Sequence, residues 1–303
     1  MAGDGDISDL RTVRDFLRWA VSRFNAAGLS YGHGTDNAFD EAAFIILETL
    51  QLPIDRLDPF LDARLTTPER AAVADIVESR VTTRKPASYL TGTAYIHGLR
   101  FRVDERALVP RSFIGELLAD GALLDGAMNL IPDPTSIGRV LDVGTGSGCL
   151  AILAAYAFPS AEVDAVDISR PALDLAALNV ADHGMERRIS LIESDLLAAL
   201  PGRTYDLVIA NPPYVDAEAI AALPAEFRHE PVGALAAGND GLDVVRRLLA
   251  DVGGHLSADG GLLCEVGTGR ERLEEAFPDL PFLWLDTAES SGEVFWLTAE
   301  AFR

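Results

Sequence analysis

From Arg139 onward the chain repeats one arrangement, a short apolar run followed by a longer stretch of helical periodicity. The runs are "RVLDVG", "EVDAVD", "ISLIES", "YDLVIAN" and "GGLLCEVG". Between some of them lie "GCLAILAAYAF", "RPALDLAALNVADHG" and "DGLDVVRRLLADVGGHL". Short apolar runs bounded by turn residues suit strands buried on both faces. Strands that alternate with helices pair in parallel, because each crossover helix returns the chain to the edge it left. The expected fold class is therefore α/β, with a doubly wound, mostly parallel sheet. The last two runs, "FLWLDT" and "EVFWLTA", are separated only by "AESSG". That spacer cannot hold a crossover helix, so the final pair is expected to be antiparallel.

The first part of the chain has a different period. "TVRDFLRWAVSRF" sets Val13, Phe16, Leu17, Ala20, Val21 and Phe24 on one helical face, and "FDEAAFIILETLQL" is a second helical run. "TTPERAAVADIVESRV" places Thr67 as an N-cap before Pro68, with Val73, Ile76, Val77, Arg80 and Val81 continuing one face. "AYIHGLRFRV" alternates about His97–Gly98 as a hairpin does, and a further helix begins near Ser112. The expected boundaries are a small N-terminal helical domain over 1–88, a hairpin linker over 89–110 and the α/β domain over 111–303.

Composition narrows the class of partner. With 303 residues and 49% apolar content, the chain can bury a sizeable core. It lacks an apolar run of membrane-spanning length and a secretory leader pattern, so a soluble, cytoplasmic protein is expected. Cys149 and Cys264 lie in separate apolar segments and read as reduced core residues. No His/Cys cluster has zinc spacing, and no metal is expected. The net charge is −22, and Lys85 is the only lysine. Such a surface repels phosphate backbones, which argues against free nucleic acid as a partner. A monomer is the default.

"VLDVGTGSGCLAI" leaves the first strand and opens a helix. Gly144, Gly146 and Gly148 permit a tight turn and close approach of backbone to a ligand. The loop falls at the carboxyl edge of the sheet, where open α/β folds bind ligands. Asp167 closes the second strand about 20 residues on, the place for a carboxylate that binds ribose hydroxyls. Asp195 follows the third strand, where an adenine would lie. Asp142 sits at the end of the first strand, and a carboxylate there suits a cationic ligand better than a pyrophosphate.

A fourth strand ends in "ANPPYVD". Two prolines fix the backbone and donate no N–H, and the residue before them is held extended. Asn211–Pro212–Pro213 is thus a stiff segment with free carbonyls, followed by an aromatic ring at Tyr214. It reads as a clamp for something flat and polar.

Taken in order, "LDVGTGSG", Asp167, "SDL" and "NPPY" resemble the class I S-adenosylmethionine-dependent methyltransferases. Adding the N-terminal helices, "SYLTGTAYIHGLRF" and "VPRS" gives a resemblance to the HemK-like protein-glutamine methyltransferases. "LVPRSFIGELL", "LPAEFRHEP", "DGLDVVRRLL", "CEVG" and "FLWLD" look most like the PrmB branch, which methylates a glutamine of large-subunit ribosomal protein uL3. One departure is Phe113, where that branch suggests a proline. The resemblance covers about Arg11 to Thr298. It implies a Rossmann-like, seven-stranded, mostly parallel sheet with an antiparallel last strand, beside a small helical domain. It implies S-adenosylmethionine as cofactor, held by Asp142, Gly144, Thr145, Gly146, Gly148, Asp167, Ile168, Asp195, Leu196 and Asn211.

The implied substrate is a glutamine side chain of uL3, free or in an assembly intermediate. The Asn211 side-chain oxygen and the Pro212 carbonyl would each accept an amide N–H of that glutamine, with Tyr214 stacked on its plane. Asn211, Pro212 and Tyr214 are the expected catalytic residues. Pro213, Arg111, His229 and Glu230 join them as expected substrate contacts. The nearest alternative is a release-factor glutamine methyltransferase with the same chemistry. A non-catalytic ribosome-assembly factor, a DNA adenine methyltransferase and a nicotinamide dehydrogenase fit the motifs less well.

Overall fold

A computed structural model describes residues 7–121, 123, 130–131, 133–288 and 290–303. The first acidic residues, and Glu289 of the "AESSG" spacer, lie outside the described residues. The chain divides into two compact units, Met1–Ala94 with Leu223–His229, and Tyr95–Ala222 with Glu230–Arg303.

The first unit is helical. Its helices are α1 (Val13–Ala27), α2 (Ala38–Thr49), α3 (Thr67–Thr83) and α4 (Ala87–Thr91). Thr12 and Asp15 form a capping box on α1, and Asn37 caps α2 through Phe39 N and Asp40 N. The cap of α3 falls one residue earlier than the sequence suggests. Thr66, whose backbone is extended, accepts from Glu69 N, and the Glu69 carboxylate accepts from Thr66 N. That reciprocal pair satisfies two otherwise orphaned donors, which Thr67 with Pro68 next to it does not. Phe16, Phe24, Ile45, Ile46, Val73 and Val77 fill the core, so the 3.6-residue pattern reports the buried face correctly.

One member of that face is a cation. Arg80 is fully buried, and its Nε donates to Glu41 Oε1 at 2.8 Å. Glu226, from the Leu223–His229 segment, completes the cluster. It lies 3.7 Å from Arg80 Nη1 and 3.0 Å from Arg84 Nε, and it accepts from Ser30 N. Burial nonetheless pushes the Glu41 carboxyl up, with Arg80 opposing the shift.

The second unit opens with a hairpin, β1 (Thr93–Ile96) and β2 (Leu99–Arg102), whose first two residues are counted with the first unit. His97 (φ 46°) and Gly98 (φ 77°) are both left-handed, as a tight two-residue hairpin requires. Helix α5 (Phe113–Ala119) starts at Ser112, whose hydroxyl accepts from Ile114 N. The sheet strands are β3 (Arg139–Val143), β4 (Glu162–Asp167), β5 (Ile189–Glu193), β6 (Tyr205–Ala210), β7 (Leu256–Glu265), β8 (Leu283–Asp286) and β9 (Ser291–Thr298). Helices α6 (Cys149–Ala157), α7 (Arg170–Asp182), α8 (Ala217–Ala222), α9 (Asp243–Asp251) and α10 (Arg270–Ala276) complete the unit.

The strand order is β5-β4-β3-β6-β7-β9-β8, with β9 antiparallel to both of its neighbours. The expected seven-stranded, mostly parallel sheet is therefore present, and its last strand is antiparallel. Alternate residues serve opposite faces. Leu207 and Ile209 pack into one core with Ile152 and Phe158, while Val208 and Ala210 pack into another with Leu248 and Phe295. Both faces are covered, which is why the strands read as continuous apolar runs.

Arg80→Ala would leave two buried carboxylates facing each other without their shared cation. A loss of about 3–5 kcal/mol in urea unfolding is expected. A loss below ~1 kcal/mol would mean that the cluster contributes no net stability.

Candidate active site

The strand order reverses at β3, because the chain runs from β3 to β4 and β5 on one side and then returns to β6 on the other. Ligands of open α/β sheets lie in the crevice beyond the strand ends at such a switch point. The register fixes what meets there. Val143 of β3 pairs with Val166 of β4 and with Ala210 of β6. Gly144 and Asn211, the next residues of their strands, therefore leave the sheet side by side.

The glycine loop is held from below. Gly144, Gly146 and Gly148 have φ of +74°, +55° and +85°. A Cβ on Gly148 would also sit 3.2 Å from the Ala176 methyl of α7. Gly144 N and Thr145 N both donate to Val166 O at 2.9 Å. Asp142 is fully buried, and its Oδ2 accepts from Thr145 Oγ1 (2.6 Å) and Ala151 N (3.0 Å). It thus ties the loop to the first turn of α6. Its other oxygen, Oδ1, is buried without a hydrogen-bond partner. Burial raises its pKa to about 7, against the two hydrogen bonds.

Asp167 accepts from Gly146 N (2.9 Å) and Ser169 N (2.8 Å), and burial raises its pKa against those bonds. Ile168 beside it is 69% exposed, which is unusual for an isoleucine at a strand end. Leu196 is held left-handed (φ 49°), and its carbonyl accepts from Ser194 Oγ at 2.7 Å. A non-glycine residue in that region is strained, and such strain clusters at ligand sites. Asp195 is exposed and pairs with Arg247 at 2.7 Å.

The clamp is anchored at both ends. Asn211 Nδ2 donates to the Arg111 carbonyl at 3.3 Å, and Oδ1 carries no hydrogen bond among the described residues. The Tyr214 hydroxyl donates to Glu265 Oε1 at 3.2 Å. A Cβ on Gly267 would approach Tyr214 Cε2 to 2.7 Å, so the ring lies flush on that glycine. Beyond the ring, Val215 exchanges backbone hydrogen bonds with Leu235 O and Ala237 N.

Two carboxylates hold the "VPRS" segment. Glu230 is buried and takes both terminal nitrogens of Arg111 at 2.7 Å, together with Val109 N at 3.0 Å. Glu265, also buried, accepts from Ser112 Oγ (2.6 Å) and Phe113 N (2.9 Å) as well as from Tyr214. Burial raises the Glu265 pKa against these bonds, and burial with the Glu265 charge raises that of Tyr214. Arg111 and Glu230, both expected as substrate contacts, form a two-pronged ion pair with each other. His229 belongs to the other unit, where its Nε2 lies 2.9 Å from Thr83 O.

Sequence reasoning missed Asn179 altogether. This fully buried residue of α7 accepts from Arg102 N at 2.7 Å and donates to Ser147 O at 2.8 Å, tying the glycine loop to β2. A polar residue on an otherwise apolar helical face is the one signal that could have flagged it.

These residues fit S-adenosylmethionine. The loop offers open space that side chains at Gly144 and Gly146 would fill, and Asp142 carries an unpartnered buried oxygen. Asp142 and Asp167 favour a cation over a pyrophosphate. Fold and site together define the class of Rossmann-like methyltransferases.

Comparison with known proteins narrows the class. Residues 124–247 match the family model of the methyltransferase small domain. The ribosomal protein uL3 glutamine methyltransferase of Bradyrhizobium diazoefficiens is 56% identical over 96% of this chain and 92% of the relative. That of Bordetella pertussis is 54% identical over 96% of each chain. Among solved structures, the hMettl16 catalytic domain in complex with MAT2A 3'UTR hairpin 1 matches with a TM-score of 0.51 at 15% identity, covering 93% of this chain and 90% of that one. That likeness shows the fold alone. The chain belongs to the family of ribosomal protein uL3 glutamine methyltransferases. No helix among the described residues is long and apolar enough to cross a membrane.

The buried Asp142 has a measurable signature. Its folded pKa of about 7 lies above its ordinary 3.8, so the folded state holds the proton more tightly. Its contribution to stability is full below the lower value and is lost as pH rises through the higher one. The stability difference between wild type and Asp142→Asn should therefore slope across that window. Parallel stability–pH curves would mean that Asp142 ionises normally.

Proposed function

We propose that the chain transfers a methyl group from S-adenosylmethionine to the side-chain nitrogen of a glutamine in ribosomal protein uL3. The observation that carries this reading is the pairing of Val143 with Ala210, which brings the glycine loop and Asn211 to one sheet edge. The function of these relatives supports the choice of protein substrate. In this reading Gly144, Thr145, Gly146 and Gly148 cradle the cofactor, with Asp142 beneath the loop. Asp167 takes the ribose hydroxyls. Ile168, Asp195 and Leu196 flank the adenine. Bound there, S-adenosylmethionine supplies an electrophilic methyl group on a sulfonium.

The protein's own task is orientation. A carboxamide nitrogen is a weak nucleophile, because its lone pair is delocalised into the carbonyl. Asn211 Oδ1 and the Pro212 carbonyl accept its two N–H groups and aim it. They also stabilise the positive charge that develops on it, and fixed acceptors need little reorganisation. Pro212 and Pro213 supply that stiffness. Tyr214, fixed by Glu265 and Gly267, covers the amide plane and excludes water. The N-terminal helical unit recognises the protein substrate, which is free uL3 or an assembly intermediate. The enzyme works as a monomer in the cytoplasm.

A transfer assay with labelled S-adenosylmethionine, offering uL3 and a release factor side by side, tests the substrate. Label on a uL3 glutamine is expected. Label on the release factor alone would overturn the substrate and keep the chemistry. Asn211→Ala should lower turnover by at least 100-fold, as loss of a transition-state hydrogen bond does, with a far smaller effect on cofactor affinity, since Asn211 is one of many expected cofactor contacts. Asp167→Ala should instead weaken cofactor binding in calorimetry. Unchanged affinity would remove its ribose role.

A further inference from the structure

An asparagine side chain has two ends of nearly the same shape and opposite hydrogen-bonding character. Only the oxygen end can accept from a substrate amide. Rotated by half a turn, Asn211 would present N–H donors to the substrate's own N–H donors, and the clamp would repel what it should hold. Neither the two prolines nor the strand before them decides between these orientations. They fix the backbone and leave the terminal side-chain torsion free.

One hydrogen bond decides it. Asn211 Nδ2 donates to the carbonyl of Arg111, which turns Oδ1 away from that carbonyl. A carbonyl cannot accept from Oδ1, so the flipped orientation loses this bond and gains an oxygen–oxygen repulsion. The position of the Arg111 carbonyl therefore sets the orientation of the clamp.

The segment that carries that carbonyl is held on both sides. On one side, Arg111 Nη1 and Nη2 reach both oxygens of Glu230 at 2.7 Å, and Glu230 Oε1 also takes Val109 N at 3.0 Å. Arg111 Nη1 further donates to Val109 O at 3.2 Å, closing a loop two residues long. On the other side, Glu265 takes Ser112 Oγ and Phe113 N. The Glu230 side chain has no solvent exposure, against 32% for that of Arg111. A pair that served only to neutralise an acidic surface would not need a buried carboxylate, whose desolvation is costly.

We propose that Arg111 and Glu230 are a positioning pair for this reaction. They hold the Arg111 carbonyl against Asn211 and so keep the acceptor end of the clamp toward the substrate amide. The inference rests on the reading of Asn211 as that acceptor. Arg111 and Glu230 accordingly act through Asn211 and do not touch the substrate.

The test uses the 303-residue chain, with Arg111→Lys, Arg111→Met and Glu230→Gln. Lysine keeps the charge and loses the two-pronged geometry. Glutamine keeps the shape and an acceptor for Val109 N. In steady-state assays with uL3, kcat should fall at least tenfold in Arg111→Met and less in Glu230→Gln. KM for uL3 and cofactor affinity by calorimetry should stay within about twofold of wild type, as for a loss confined to the transition state. A second readout needs no turnover. In protein labelled with ¹⁵N-asparagine, the Asn211 side-chain amide signal is identified by its absence in Asn211→Asp. It should move toward the position of a solvent-exposed amide in Arg111→Met and Arg111→Lys.

If KM for uL3 rises while kcat holds, Arg111 touches the substrate and the proposal is overturned. A fall in kcat with an unmoved Asn211 signal overturns it too, because the pair then acts by another route. Should Arg111→Met fail to fold, Arg111→Lys and Glu230→Gln carry the same comparison. Wild-type turnover by Asn211→Ala would instead remove the clamp reading itself, whatever the amide signal does in the Arg111 variants.

Discussion

The parallel pairing of β3 with β6 is the constraint on which the site depends. It aligns Val143 with Ala210, and the residues that follow each must then leave the sheet at one edge. A slip of one residue would reverse the faces of β6, sending Val208 and Ala210 into the wrong core. The apolar alternation of the strand therefore protects the register, and the register protects the juxtaposition of glycine loop and clamp. The site's geometry follows from the same core packing that stabilises the second unit.

Around that juxtaposition the structure uses buried and half-buried carboxylates as ties. Asp142 joins the glycine loop to α6, Asp167 holds Gly146, Glu230 holds Arg111, and Glu265 joins the start of α5 to Tyr214. A carboxylate suits the work because its two oxygens accept several donors at once. Burial makes each bond stronger and each missing bond more costly. Asp142, Asp167 and Glu265 all have raised pKa values with desolvation as the leading cause, so the site carries carboxyl groups only partly compensated by the protein. A bound cation would complete that compensation, whereas a pyrophosphate would add to the charge already there.

The sequence revealed those parts of the site whose physics is local. Gly144, Gly146 and Gly148 are legible because left-handed backbone favours glycine, and Asn211–Pro212–Pro213 because proline stiffens its own neighbourhood. The antiparallel ending of the sheet was legible from the length of one spacer, and the core of α1 from its periodicity. The ties were not legible. Glu230 reaches Arg111 across 119 residues, Glu265 reaches Ser112 across 153, and Asn179 reaches Arg102 across 77. A lone carboxylate in a chain with 47 acidic residues gives no sign of its partner. Arg80 shows the same limit from the other side. Its place on an apolar face is plain in the sequence, but whether it is buried depends on Glu41 of α2 and on Glu226, far along the chain.

This division between local and distant explains why the motif residues alone under-describe the enzyme. The NPPY segment supplies a stiff backbone and an amide, but a stiff backbone does not choose between the two ends of that amide. The choice is made by a carbonyl from "VPRS", which is fixed in turn by carboxylates from the segment after α8 and from the end of β7. Three stretches of chain, each unremarkable alone, must fold onto one edge before Asn211 has a defined acceptor. Motif and scaffold are in this sense one device. The motif provides the groups that can react, and the long-range ties decide which way those groups face.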